Sequence, residues 1–174
     1  MIIIFFITSI IITFSVIGYG LLGYEILNLK RKKFNLGLIG ILGLFFLLII
    51  SSYSHILFPH NYLHNIIIFL IGLLLILILK RNYSINLKKN IKNFTIIYTL
   101  LFVALIIAKT NEDFSYYHLP NSLQFAQQKL QFGLGNLNHG FKHISSLFML
   151  MSLNYLPYFE YYLFNLTNFI FLVF

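Results

Sequence analysis

Two short runs of positive charge punctuate a chain that is otherwise mostly hydrocarbon. Lys30, Arg31, Lys32 and Lys33 form the first; Lys80, Arg81, Lys88, Lys89 and Lys92 form the second, and together they hold nine of the twelve basic residues. On either side lie apolar stretches of the length that crosses a bilayer core, about 20 residues for roughly 30 Å. A composition of 59% hydrophobic and 9% charged residues lies outside the range of ordinary soluble domains. The expected fold class is therefore all-α: a polytopic transmembrane helix bundle of about five spans.

The placement of charge then predicts topology. Excess Lys and Arg marks cytoplasmic loops, which assigns segments 29–34 and 80–92 to the cytoplasm and the N-terminus and residues 109–157 to the extracytoplasmic side. No Lys or Arg precedes Lys30, so the first apolar run lacks the basic start of a signal peptide and reads as a retained helix. The same clustering explains the net charge of +8 without nucleic acid, since no basic face with interleaved aromatics exists outside these loops. A bacterial inner (plasma) membrane is the expected location, with the lipid bilayer as first partner.

Expected spans cover about Met1–Leu27, Phe34–Phe58, Tyr62–Leu79, Ile91–Ala108 and Tyr158–Phe174. Gly18, Gly20 and Gly23 in the first, and Gly37, Gly40 and Gly43 in the second, have the small-residue spacing that lets membrane helices approach closely. Residues 1–110 thus read as a four-span N-terminal bundle, 111–157 as an extracytoplasmic segment, and 158–174 as the start of a further span. The chain stops inside that last apolar run, from which we expect further helices of a larger protein to follow. Residues 121–131, NSLQFAQQKLQ, have the pattern of an amphipathic helix lying in the membrane interface.

This topology places all six histidines, His55, His60, His64, His118, His139 and His143, on the outer side. They share it with the most informative stretch, NEDFSYYHLP, Asn111 to Pro120. It carries two of the four acidic residues, Glu112 and Asp113, and reads as a polar loop at the end of the fourth span. Adjacent carboxylates beside aromatics are suited to general-base work, because repulsion and partial burial raise one member's pKa. His118 lies within reach to assist, and Tyr116 and Tyr117 are suited to bind a sugar ring. Beyond them, Lys129, Asn136, Asn138, His139, Lys142 and His143 surround the glycine- and asparagine-rich segment GLGNLNHG, whose amides suit hydroxyls or phosphate. No cofactor is expected. The histidines with Glu112 and Asp113 invite a divalent metal, but none has tight ligand spacing: His139 and His143 are four apart with Gly140 between them.

Asp113, Tyr117, His118, Leu119 and Pro120 form a D-x-x-x-Y-H-L-P pattern that resembles the signature in a large outer loop of bacterial GT-C-type polytopic membrane glycosyltransferases. The similarity covers about Asn111 to Leu153. It implies an N-terminal portion of an enzyme that moves a sugar from a polyprenyl-phosphate donor to a glycan, lipid or protein acceptor. It makes Asp113 the catalytic base, with Glu112 or His118 assisting. Family members place the acidic loop after the first span, whereas here four spans precede it, and they carry about eight or more spans. The alternative from another class is a non-enzymatic integral membrane protein, an assembly factor or transporter subunit.

Overall fold

A computed structural model describes residues 1–29, 35–79, 87–108, 112–137, 141 and 145–174. Among these the chain is all-α with no named strand. Three helices are long and apolar enough to cross a membrane: α1 (Ile2–Ile26), α2 (Leu36–Leu57) and α3 (Tyr62–Leu79). The fourth expected span is α4 (Leu87–Ile107), whose apolar part, Lys92–Ile107, is shorter. Pro59 ends α2, since its ring and missing N–H cannot continue the ladder, and α3 restarts three residues on.

Two compact units partition the chain. The first comprises Met1–Leu47, Ile68–Ile107 and Asn168–Phe174. Within it the glycines bring backbones into contact: a Cβ on Gly18 would collide with the carbonyl of Gly72, one on Gly20 with that of Ile39, and one on Gly43 with that of Val16. Between membrane helices there is no net hydrophobic drive, so close van der Waals contact and shared hydrogen bonds supply the association. The bonds here are Tyr19 Oη donating to the Ile68 carbonyl at 2.7 Å and a Ser9–Tyr98 hydroxyl pair at 2.6 Å. Phe6 packs edge-on against both Tyr98 and Phe102.

The second unit comprises Leu48–Ile67 and Ala108–Thr167. Here the acidic stretch departs from the expected loop. From Glu112 the chain is helical, passing through a π-helical turn at Phe114–His118 directly into α5 (Leu119–Gln127). Pro120 supplies the reason. It has no N–H for the Tyr116 carbonyl, and its ring crowds that carbonyl. The turn before it opens to the wider spacing, with the Leu119 N–H reaching back to Phe114 O. The buried face of α5 is Asn121, Ser122, Phe125 and Ala126.

After α5 come α6 (Leu134–Leu137), α7 (Ser146–Leu153) and α8 (Leu166–Val173). Phe125, Phe148, Met151 and Phe164 form the unit's apolar core, with α5 against α7. Ser145 caps α7, its Oγ accepting the Leu147 N–H at 3.2 Å. The last expected span is interrupted. Tyr158 and Glu160 adopt φ of 68° and 48°, and Leu156 pairs with Glu160 in an isolated bridge. A 3-10 turn at Tyr161–Leu163 follows, and α8 starts at Leu166.

Candidate functional site

Glu112 and Asp113 are the first described residues of the helical run, and both are exposed. The Ser115 hydroxyl donates to the Glu112 carbonyl at 3.1 Å. Widening of the π turn, a feature often found at functional sites, sends Tyr116 outward at 86% exposure. Tyr117 and His118 turn inward and set their rings edge-on to Phe148, each at 5.1 Å. His118 is thereby anchored to the core of the unit. One turn on, Asn121 Nδ2 donates to the Tyr117 carbonyl at 2.7 Å and fixes the π turn to α5.

A cavity of about 370 Å³ opens within the same unit, lined by His55, Asn121, Gln124, Lys129, Gln131 and Asn136 among its polar groups. Its apolar wall includes Phe125, Phe132 and Phe141. The segment after α5 is held to α2 on both edges of one residue: the Leu130 N–H donates to His55 O, and His55 Nε2 meets Gln128 O, both at 3.0 Å. Gly133, at φ 87°, then turns the chain back so that the Asn136 N–H reaches Gly133 O at 2.9 Å. Gln124 Nε2 donates to the side-chain oxygens of Gln128 at 2.7 Å and Gln131 at 3.3 Å, which pre-orients the amides at the rim. Among the described lining residues there are one ammonium and several amides and no carboxylate, which suits a polyhydroxylated or anionic head group.

Of the residues singled out by sequence, Lys129 and Asn136 meet in this cavity. Tyr117 and His118 lie against Phe148. Glu112 and Asp113 are absent from the cavity lining. Asp113 precedes Asn121 by eight positions, roughly 12 Å of helix rise. Asn138, His139, Lys142 and His143 lie outside the described residues, as does the first basic run. Among the described residues no group of three or more His, Asp or Glu is arranged to hold a metal ion.

A second cluster was not predicted. His55, His60 and His64 lie ring against ring, His55 edge-on to His60 and His60 stacked on His64, with centroids 4.9 Å apart at each step. Asn65, fully buried, ties them to α7: its Nδ2, with two hydrogens, shares them among the carbonyls of His60 at 2.7 Å, Ser152 at 2.9 Å and Tyr155 at 3.0 Å. Their spacing, His-x4-His-x3-His across a proline that ends a helix, was the available signal. A chain doubling back at Pro59 brings the last turn of one helix beside the first turn of the next.

Fold and site together define an α-helical membrane protein with a compact polar unit built on the adjoining ends of two transmembrane-length helices. Over residues 1–174 the chain matches a family described as a domain of unknown function (DUF8201), and it belongs to that family. No curated protein and no solved structure matches it.

Proposed function

We propose that this protein acts as a membrane glycosyltransferase, moving a sugar from a polyprenyl-phosphate donor to an acceptor hydroxyl at the extracytoplasmic face of a bacterial inner membrane. The observation that carries the reading is the continuous helix from Glu112 to Gln127. It presents an exposed carboxylate pair at one end and contributes Asn121 and Gln124 to a lysine- and amide-lined cavity at the other. The positive-inside pattern of the two basic runs supports the outward orientation.

In this reading Asp113 takes the proton of the acceptor hydroxyl as its oxygen bonds to the anomeric carbon. The bond from that carbon to the phosphate oxygen breaks, the phosphate leaves with the electron pair, and Lys129 meets its charge. Glu112 and the core-anchored His118 hold Asp113 and the acceptor in place, while Tyr116 offers an exposed ring to the sugar. A binding-only role as a non-enzymatic assembly component is the second reading. It is favoured by the separation of Asp113 from the cavity, which asks a substrate to bridge the two.

Full-length protein in membranes, supplied with a panel of radiolabelled polyprenyl-phosphate sugars, separates the two. Transfer that falls at least about 100-fold in Asp113→Asn, with membrane insertion unchanged, supports the enzyme. Undiminished transfer in that variant removes Asp113 from the chemistry, and donor binding without transfer supports the binding role.

A further inference from the structure

At the adjoining ends of α2 and α3, a hydroxyl, an imidazole and an amide lie in one hydrogen-bonded line, and their partners fix where the hydrogens sit. Three carbonyls around Asn65 Nδ2 identify it as the donor end. Asn65 Oδ1 is therefore the atom 3.0 Å from His64 Nδ1, and because an amide oxygen only accepts, Nδ1 carries the imidazole hydrogen. In the neutral ring Nε2 is then a bare acceptor. It lies 3.0 Å from Ser54 Oγ, a hydroxyl that also lies 3.2 Å from the Ser51 carbonyl. The single hydroxyl hydrogen has two acceptors, and the closer is the imidazole.

This is the order of groups that activates a serine: a nucleophile, a base, and a third side chain that holds the base in the useful tautomer. An amide in the third place orients the ring without adding charge. The His60 ring supports it from one face, stacked on His64 at 4.9 Å and 14° from parallel, and is itself held by Ser152 Oγ at 2.6 Å and the Ser51 carbonyl at 3.1 Å. Asn65 and His60 are thus positioning residues. Asn61, just before α3, accepts the His64 N–H on Oδ1 at 3.0 Å. That leaves Nδ2 as its donor end, on an exposed residue at a helix N-terminus, where developing negative charge is favoured.

Access separates this line from the other serine–histidine contact of the unit. Ser152 and His60 are both fully buried, whereas Ser54 and His64 are half-buried. Leu57 and Phe58, one turn on from Ser54, and Ile67, one turn on from His64, are exposed. On helices of membrane-spanning length such a surface meets lipid. The ester bonds of membrane lipids lie at this level, where hydrocarbon gives way to head group.

We propose that Ser54, His64 and Asn65 form a second catalytic site, which transfers an acyl group from a membrane-lipid ester. Ser54 Oγ bonds to the ester carbonyl carbon as its proton passes to His64 Nε2, and Asn61 Nδ2 donates to the carbonyl oxygen as it becomes an anion. The bond from that carbon to the lipid's alcohol oxygen then breaks, and the leaving alcohol takes the proton from Nε2. An acyl-serine remains. A second hydroxyl compound, water in the simplest case, attacks it with His64 again holding the proton in transit, which returns to Ser54 as the acyl group departs. The carboxylates at Glu112 and Asp113 take no part, so this activity stands or falls apart from glycosyl transfer.

The full chain in nanodiscs of ester-linked phospholipid is treated with a long-chain alkyl fluorophosphonate, which loses fluoride as an activated serine oxygen bonds to phosphorus, and the adduct is mapped by mass spectrometry. An adduct on Ser54 is expected. His64→Gln, in samples that elute and melt as wild type, should slow its formation at least about 100-fold, a change that a merely structural hydrogen bond would not produce. No adduct on Ser54 in the folded wild type overturns the proposal whether or not that variant folds, as does labelling undiminished in His64→Gln. The lipid is tested separately: with hydroxylamine as acceptor, wild type should release fatty hydroxamate from the nanodisc and Ser54→Ala should not. Equal release from the two overturns the assignment of a lipid ester as substrate.

Discussion

Replacing Asn65 with leucine is the sharpest perturbation of the polar unit. The side chain is fully buried, and leucine keeps its branching at Cγ with two bulkier methyl groups, so the outline is kept while the hydrogen bonds vanish. Of the three carbonyls that lose a donor, Ser152 O retains the Tyr155 N–H at 3.1 Å and is partly spared. His60 O, Tyr155 O and the His64 Nδ1–H lose their Asn65 partner. At about 1–3 kcal/mol for each buried group left unmade, a total of about 3 kcal/mol is a conservative sum. For a chain of this size that lowers the melting temperature on the order of 10 °C. Far-UV circular dichroism in detergent reads it, since helix is nearly all the signal. Asn65→Asp controls for shape: it keeps the outline but turns an oxygen toward three carbonyls, and should melt at least as early at neutral pH. A leucine variant that melts within about 2 °C of wild type would refute the claim that this side chain binds the unit together.

Burial, with the neighbouring imidazoles of His64 and His55, pushes His60 down from 6.5 to about 3. Folded protein therefore holds this ring neutral while the unfolded chain protonates it. The contribution is complete above about pH 6.5 and is lost as pH falls toward 3, about 2 kcal/mol by pH 5; equal melting temperatures at pH 7.5 and about pH 5 would contradict it. Gly18→Leu drives a side chain into the Gly72 carbonyl and should cost at least about 3 kcal/mol, read as loss of folded protein on size-exclusion chromatography. Tyr98→Phe removes one buried bond to Ser9 and should cost only about 1 kcal/mol in the same melting assay. Lys129→Ala should weaken binding of a phosphate-bearing head group to the cavity about tenfold, measured by calorimetry; unchanged affinity would remove Lys129 from the site.

The long helices were legible because each rests on one-dimensional information. Tyr62–Leu79 emerges with the bounds its apolar run predicts, since a proline and a basic residue flank it. NEDFSYYHLP was harder. Proline and a density of polar groups read as a loop, yet a proline near the start of α5 is tolerated once the preceding turn widens, and nothing in the sequence announces a π turn. The last apolar run begins later than hydropathy suggests, because hydropathy ignores the positive-φ backbone at Tyr158 and Glu160, after which the apolar helix Tyr161–Val173 starts. Lys129 and Asn136, singled out from residue type alone, line the cavity. The histidine stack escaped because it depends on how a chain doubles back at Pro59, and Asn65 escaped because one buried asparagine with three carbonyl partners looks, in sequence, like any other.

The glycines of α1 carry a mechanical meaning. Where Gly18 meets Gly72, and Gly20 meets Ile39, backbone rests on backbone, and the residues that alternate with them are Tyr19 and Leu21. Shifting α1 by one residue along either neighbour would bring a ring or a branched side chain to a gap that admits one hydrogen atom. Such an interface has a single permitted phase, like a key whose teeth engage at one depth. These contacts thereby deny α1 the gradual sliding by which packed helices usually accommodate a neighbour's movement.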